Sequence, residues 1–334
     1  MFQQGLLGMG RRLAGVHRAA PGGRPRRNLL LLHTDTYQER ADWLAVKEKI
    51  EARAPDIEVR VDSNDHPSAD VYRWQIGRPS LVFSPFRLLA YRPPGGTVYA
   101  GREIGKVAEW RRMAESGLPI PQTARLAPDL VLPPESWGEY VIVKPVKGMR
   151  GQRIRLVRTV EVGRRYAELS DGGRERMLVQ KYVDHVDEQN RPFNYRVLTI
   201  FGEPLTASQR GWHVPRRPLA ELADDPEGPI ASNSHGFSTL GKLVKIPDVL
   251  ALSRRVAAAF PEVPCLGQDI IRRTGTGDLY ILETNPGGAI WHLSSQFAHQ
   301  PGHDPAYAQA KYDQFGALDV VAEQLILRTR AEAS

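Results

Sequence analysis

Asp269 and Glu283 stand on two apolar runs that flank Thr274-Gly275-Thr276-Gly277-Asp278. A hairpin turn centred on Thr276 pairs residue 269 with residue 283. Directly opposed side chains of an antiparallel ladder share a face, with Cβ atoms about 5 Å apart. Asn285, two residues on, falls on the same face of a regular strand. Two carboxylates held face to face repel each other and call for a cation. Hard oxygen donors with no Cys or His beside them suit Mg²⁺ rather than Zn²⁺. The competing reading is a solvent-facing acidic pair, or one neutralised by Arg272 and Arg273.

A second group is cationic. Lys144 ends the apolar run Tyr140-Val141-Ile142-Val143, and Gly148 and Gly151 follow it closely. Backbone amides approach a ligand where no Cβ intervenes, and an ammonium adds a point charge, so the pattern suits a phosphate chain. It matches neither the Walker loop nor G-x-G-x-x-G, and by itself it also reads as an ordinary basic hairpin. Cys265, the one cysteine, reads as a small buried hydrophobe.

The elements that must carry these residues are legible in outline. Leu29–Leu32 reads as a buried strand, 37–53 as a helix, 57–61 and 81–83 as further strands, which together make a small α/β domain over 28–103. A helix over 103–116 is stopped by Gly117, Pro119 and Pro121. Strands are expected at 140–144, 152–157 and 177–183, with a helix near 160–169 between them. From 193 the chain reads strand, turn at Gly202 and strand. A helix over 247–260, the Thr276 hairpin and a final helix over about 306–330 follow.

The chain has 334 residues and formal net charge +7. Residues 1–27 carry six arginines and no acid; without them residues 28–334 keep a balance of +1. The basic character belongs to a Gly/Pro/Arg arm that reads as disordered or transit-like, which argues against a nucleic-acid face. No run approaches the roughly 18 apolar residues that span a bilayer. No membrane association and a cytoplasmic location are the expectation, with no disulfide framework.

The order of the motifs resembles the ATP-grasp superfamily of carboxylate–amine ligases. Gly105-Lys106 precedes Gly117-Leu118-Pro119-Ile120-Pro121; Lys144 and the glycine loop follow, then Val179-Gln180-Lys181-Tyr182-Val183, Asn194-Tyr195-Arg196, Ser208-Gln209-Arg210 and Asp269…Glu283-Thr284-Asn285-Pro286. The match covers roughly 104–330. It implies an α+β fold in which two α+β lobes, 104–176 and 177–330, clasp ATP, preceded by the small α/β domain. The resemblance further implies that Lys106 and Lys144 touch the phosphates and that Gly148–Gly151 closes over them. Gln180, Lys181, Tyr182 and Val183 would recognise adenine. Asp184, Asp187 and Glu188 compete for the ribose, with Asp187 carried forward. Asp269, Glu283 and Asn285 would hold Mg²⁺, and Arg196 and Arg210 would face the transferred phosphoryl group. Asn233, His235 and His292 are weaker substrate-contact candidates. Lys181 departs from the pattern, since many relatives carry an acid there.

Members of this layout couple a carboxylate to an amine. The carboxylate attacks the γ-phosphoryl group, which brings two anions together, so cations must surround the transfer. An amino acid, a peptide or a protein terminus is the expected substrate. A small-molecule kinase on the same fold and a nucleotide-binding regulator without turnover are the alternatives.

Overall fold

The computed structural model describes residues 26–147, 153–225, 228, 230, 241–291, 293–294 and 304–334. They form three sheets. The first is built from β1 (Arg27–His33), β2 (Ile57–Ser63), β3 (Ser80–Ser84) and β4 (Thr97–Ala100), with α1 (Arg40–Arg53) and α2 (Val71–Gln75) between strands. Its order is β2-β1-β3-β4 and every pairing is parallel. β1 begins one residue ahead of the expected Asn28. Leu29 and Leu31 pack against Trp43, Val46 and Ile50 of α1, whereas Leu30 and Leu32 meet Val71, Val82 and Tyr91. Burial on both faces is why this strand is apolar throughout rather than alternating.

Next come α3 (Lys106–Glu115), β5 (Thr123–Arg125), α4 (Pro134–Trp137), β6 (Tyr140–Pro145), β7 (Arg155–Arg158), α5 (Tyr166–Leu169) and β8 (Met177–Lys181). The strands form an antiparallel sheet of order β5-β8-β6-β7. Val141, Val143 and Val179 bury one face with Trp137 and Leu169. Alternation therefore turns Lys144 and Gln180 to the opposite face. The expected helix over 160–169 is instead a 3₁₀ turn, Thr159–Glu161, and the short α5, separated at Gly163.

The third sheet contains β9 (Phe193–Ile200), β10 (Glu203–Gly211), β11 (Lys242–Leu243), β12 (Cys265–Arg272) and β13 (Leu279–Asn285), with α6 (Leu219–Asp224) and α7 (Pro247–Ala258) in the connections. It is antiparallel, of order β11-β10-β9-β12-β13, so β13 is an edge strand. Val249, Leu252 and Val256 of α7 cover Val197, Leu266, Ile270 and Ile281. Cys265 is fully buried, and desolvation pushes its thiol pKa up, consistent with a packing role.

The expected final helix is two: α8 (Pro305–Asp313) and α9 (Ala317–Glu332). Gly316, at φ +67°, breaks them apart in a conformation glycine adopts without strain. Ala317, Val321, Ala322 and Leu325 of α9 join the cluster that holds Leu29, Leu31, Trp43 and Phe83, and Leu198 and Ile200 of β9 join it too. The chain end thus covers the first sheet and fastens it to the third. Ser334 reaches the start of β3, where its carbonyl accepts the Ser80 amide at 3.0 Å.

Candidate active site

A cleft lies between the polar face of the second sheet, α3 and β13. Lys144 and Gln180 come from the sheet, Lys106 and Glu109 from α3, and Glu283 from β13. Lys106, Glu109 and Met113 recur at helical spacing, which places them along one stripe of α3. Trp110, Ile120, Leu178 and Ile281 supply apolar wall, the mixture of apolar lining and a few convergent polar groups typical of a ligand cleft.

Lys144 Nζ donates to Gln180 Oε1 at 3.0 Å, and Gln180 Nε2 donates to Thr123 Oγ1 at 3.1 Å. Desolvation pulls the Lys144 ammonium pKa down; Glu283 and Glu109 oppose the shift and Lys106 reinforces it. Burial pushes Glu109 up to about 7, and Glu283 adds to the rise. Glu109 accepts the backbone amide of Thr284. It carries no motif signature, although its position one helical turn after Lys106 marks it for the same cleft.

Asp269 lies opposite Glu283, the expected register. The route to that register differs from the regular hairpin. Arg272 pairs with Leu279 and Ile270 with Ile281, a ladder one residue out of step with the Asp269–Glu283 pair. Leu282 is the extra residue of a β-bulge that absorbs the difference. Arg196 lies opposite Asp269 on the other side and forms an ion pair with it. Arg196, rather than Arg272 or Arg273, is therefore the arginine beside the acids; Arg272 bonds Asp248 at 2.9 Å. Asn194 Nδ2 donates to Asp269 Oδ1 at 3.1 Å, and Asn285 Nδ2 approaches Oδ2 at 3.4 Å.

Burial raises the Glu283 pKa, and the Asp269 charge raises it further, while Lys144, Lys106 and Arg196 oppose the rise. Among the described residues none hydrogen-bonds the Glu283 carboxylate. A recessed carboxylate facing a second acid fits a divalent cation held by oxygen donors. Asn285 turns its nitrogen to Asp269, so serving as a third donor requires its amide to flip. Among the described residues no group of three or more His, Cys, Asp or Glu side chains is placed to hold a metal, so the donor set rests on two carboxylates and this amide.

Arg210 lies opposite Asn194 on β10. Burial and the neighbouring Arg196 lower its pKa; Asp269 and Tyr307 oppose the shift. No described residue hydrogen-bonds it. An arginine recessed beside another arginine is a natural anion receptor.

The remaining expected residues are dispersed. Lys181 Nζ donates to the Ser136 carbonyl at 2.7 Å, so its side chain is drawn to α4. The amides of Lys181 and Tyr182 donate to Gln122 at 2.8 Å and Tyr140 at 3.2 Å; among the described residues no acceptor takes the Val183 amide. Asp187 Oδ1 accepts the Gln189 and Arg191 amides at 3.0 and 2.9 Å, and Oδ2 the Arg191 Nε at 2.8 Å. Its carboxylate is committed to its own turn. Asp184 pairs with Arg216 at 2.6 Å. Gly148, Gly151, Asn233, His235 and His292 lie outside the described residues.

No protein-family model matches the sequence, and no curated protein matches it. Solved structures do match. The ATP-grasp ligase PsnB, complexed with precursor peptide PsnA2 and AMPPNP, is similar at 17% identity and TM-score 0.51 over 93% of this chain and 100% of that one. PsnB with a phosphomimetic variant of its minimal precursor, Mg and ADP gives 16% identity and TM-score 0.52 over 93% and 99%. D-cycloserine synthetase DcsG gives 16% and 0.49 over 89% and 99%. At such identity the likeness speaks to architecture. The match spans nearly the whole of both chains, and with the two antiparallel sheets enclosing the cleft it identifies this chain as an ATP-grasp fold.

Proposed function

We propose that the chain is an ATP- and Mg²⁺-dependent carboxylate–amine ligase that forms an acyl phosphate and releases ADP. The carrying observation is that Glu283, which faces Asp269 across the hairpin, lines the cleft that also presents Lys106 and Lys144. Acids and lysines in one recess match the two signs of a metal–polyphosphate complex. A peptide acceptor or donor is the first substrate class to test, since PsnB, which shares the fold, is recorded with a precursor peptide.

In this reading Lys106 and Lys144 bind phosphate oxygens, and Gly148 and Gly151 are assigned to the same phosphates. The Gln180–Val183 segment receives adenine, the Val183 amide acting as donor. Asp269, Glu283 and Asn285 would hold Mg²⁺, which neutralises charge on the transferring phosphoryl group. A substrate carboxylate oxygen attacks the γ-phosphorus, the bond to the β-bridging oxygen breaks, and ADP leaves. The amine nitrogen then attacks the acyl carbon, inorganic phosphate departs and the nitrogen gives up a proton. Arg210, with Arg196 beside it, steadies the anion in both steps, because a planar guanidinium can hold two oxygens at once. Asn233, His235 and His292 are assigned to the substrate side.

The test supplies Mg·ATP, a panel of amino acids and peptides, and hydroxylamine. A hydroxamate with stoichiometric ADP is the expected product. A stable phosphorylated hydroxyl compound instead makes the chain a kinase, and AMP release defeats the acyl-phosphate scheme.

A further inference from the structure

Glu109 belongs to no motif, is 4% exposed, and sits against the strand that carries the candidate metal ligands. β13 is an edge strand, so every second amide faces away from the ladder and needs an acceptor elsewhere. Two such amides are satisfied on that outer side. Ile281 donates to the Pro119 carbonyl at 2.8 Å, and Thr284 donates to Glu109. They lie three residues apart, which a regular strand of period two does not allow on one edge. The Leu282 bulge supplies the odd residue. Beyond it the outward amide is Thr284, between Glu283 and Asn285, and α3 offers the acceptor.

We propose that Glu109 is a positioning residue for metal binding: its carboxylate holds the Thr284 amide and so sets where Glu283 and Asn285 project. This rests on the ligase reading, in which those two residues serve the metal. Groups that orient metal ligands from behind typically change metal affinity by about 10–100-fold when removed. The role needs reach and an acceptor oxygen, not charge. A glutamine keeps both, and an aspartate keeps the charge but falls one methylene short.

The test is calorimetric titration of ADP, with and without Mg²⁺, into the full-length wild type, Glu109→Gln and Glu109→Asp, with thermal melts to verify folding. In the wild type Mg²⁺ should tighten ADP binding. In E109D that tightening should fall by about tenfold, whereas metal-free ADP affinity stays within about threefold. E109Q should retain the tightening to within about threefold. Loss in E109Q with retention in E109D makes charge the active property and overturns the proposal, as does loss in both variants alike or full tightening in E109D. A wild type whose ADP binding ignores Mg²⁺ removes the metal assignment itself and the Glu109 role with it. Should one variant fail to fold, the other still decides, since retention in E109Q and loss in E109D are each required.

Discussion

Arg196 and Arg210 are neighbours with different partners. Arg196 is paired with Asp269, while Arg210 has no hydrogen-bond partner among the described residues and is held near Arg196 and Tyr307. Replacing Arg210 by Lys keeps the charge and loses the planar fork. Once a substrate is known, Arg210→Lys should lower kcat by about 10²–10³ with little change in ATP affinity, measured by steady-state kinetics beside nucleotide titration. A loss confined to ATP affinity would move Arg210 to the nucleotide. At this scale the sequence yields the residues whose types are unusual for their surroundings, such as two acids or a lysine on apolar strands. Arg196 as the partner of Asp269 was not legible, because that contact joins β9 to β12 across a long interval of chain. Glu109 was hidden because a glutamate on a helix is ordinary until its burial is known.

At the scale of elements, the hairpin gave the correct acid pair through an incorrect ladder. Counting from Thr276 assumes mirror symmetry, and the observed strands break it at Leu282. Bulges leave no reliable mark in one sequence, since any residue can be the extra one. A second element-level feature is Asp42 on α1. It accepts Trp291 Nε1 at 2.9 Å and the Tyr312 hydroxyl of α8 at 2.9 Å, tying three distant segments together. Burial raises its pKa from 3.8, partly offset by hydrogen bonds from Ser294, Trp291 and Tyr312. A carboxyl that binds its proton more tightly when folded loses stabilisation as pH rises. That loss begins near the unfolded value, 3.8, and ends above the raised folded value. Asp42→Asn should therefore flatten the fall in melting temperature as pH rises from about 4, relative to wild type. An identical pH slope in both proteins would show that Asp42 ionises freely in the fold.

For the molecule as a whole, the main departure from the sequence reading is the chain end. A final helix was expected within the second lobe, but α9 closes the core of the first sheet. Amphipathic pattern reveals that a helix has a buried face and does not reveal which distant surface receives it. Two outcomes follow from the packing. Leu325, fully buried in that core, should cost about 2–5 kcal/mol when replaced by Ala, measured by urea denaturation. A fragment ending after β4, with α9 absent, should lack cooperative unfolding, because Leu29, Leu31 and Phe83 lose part of their cover. A sharp melting transition in that fragment would show that α1 alone suffices.

Gly288 joins the same two regions from the other side. Its φ is +82°, and a Cβ there would stand 1.9 Å from the Pro85 carbonyl oxygen, while the Arg102 amide donates to the Pro286 carbonyl at 2.9 Å. The loop leaving β13 and the helix that ends the chain are both made long after β1 and β3. On a ribosome adding about 5–20 residues per second, the leucines of β1 wait roughly fifteen to sixty seconds for α9 to be made. The first of the described strands to be made is thus among the last to be covered, and through that interval its leucines lack the shelter of α9.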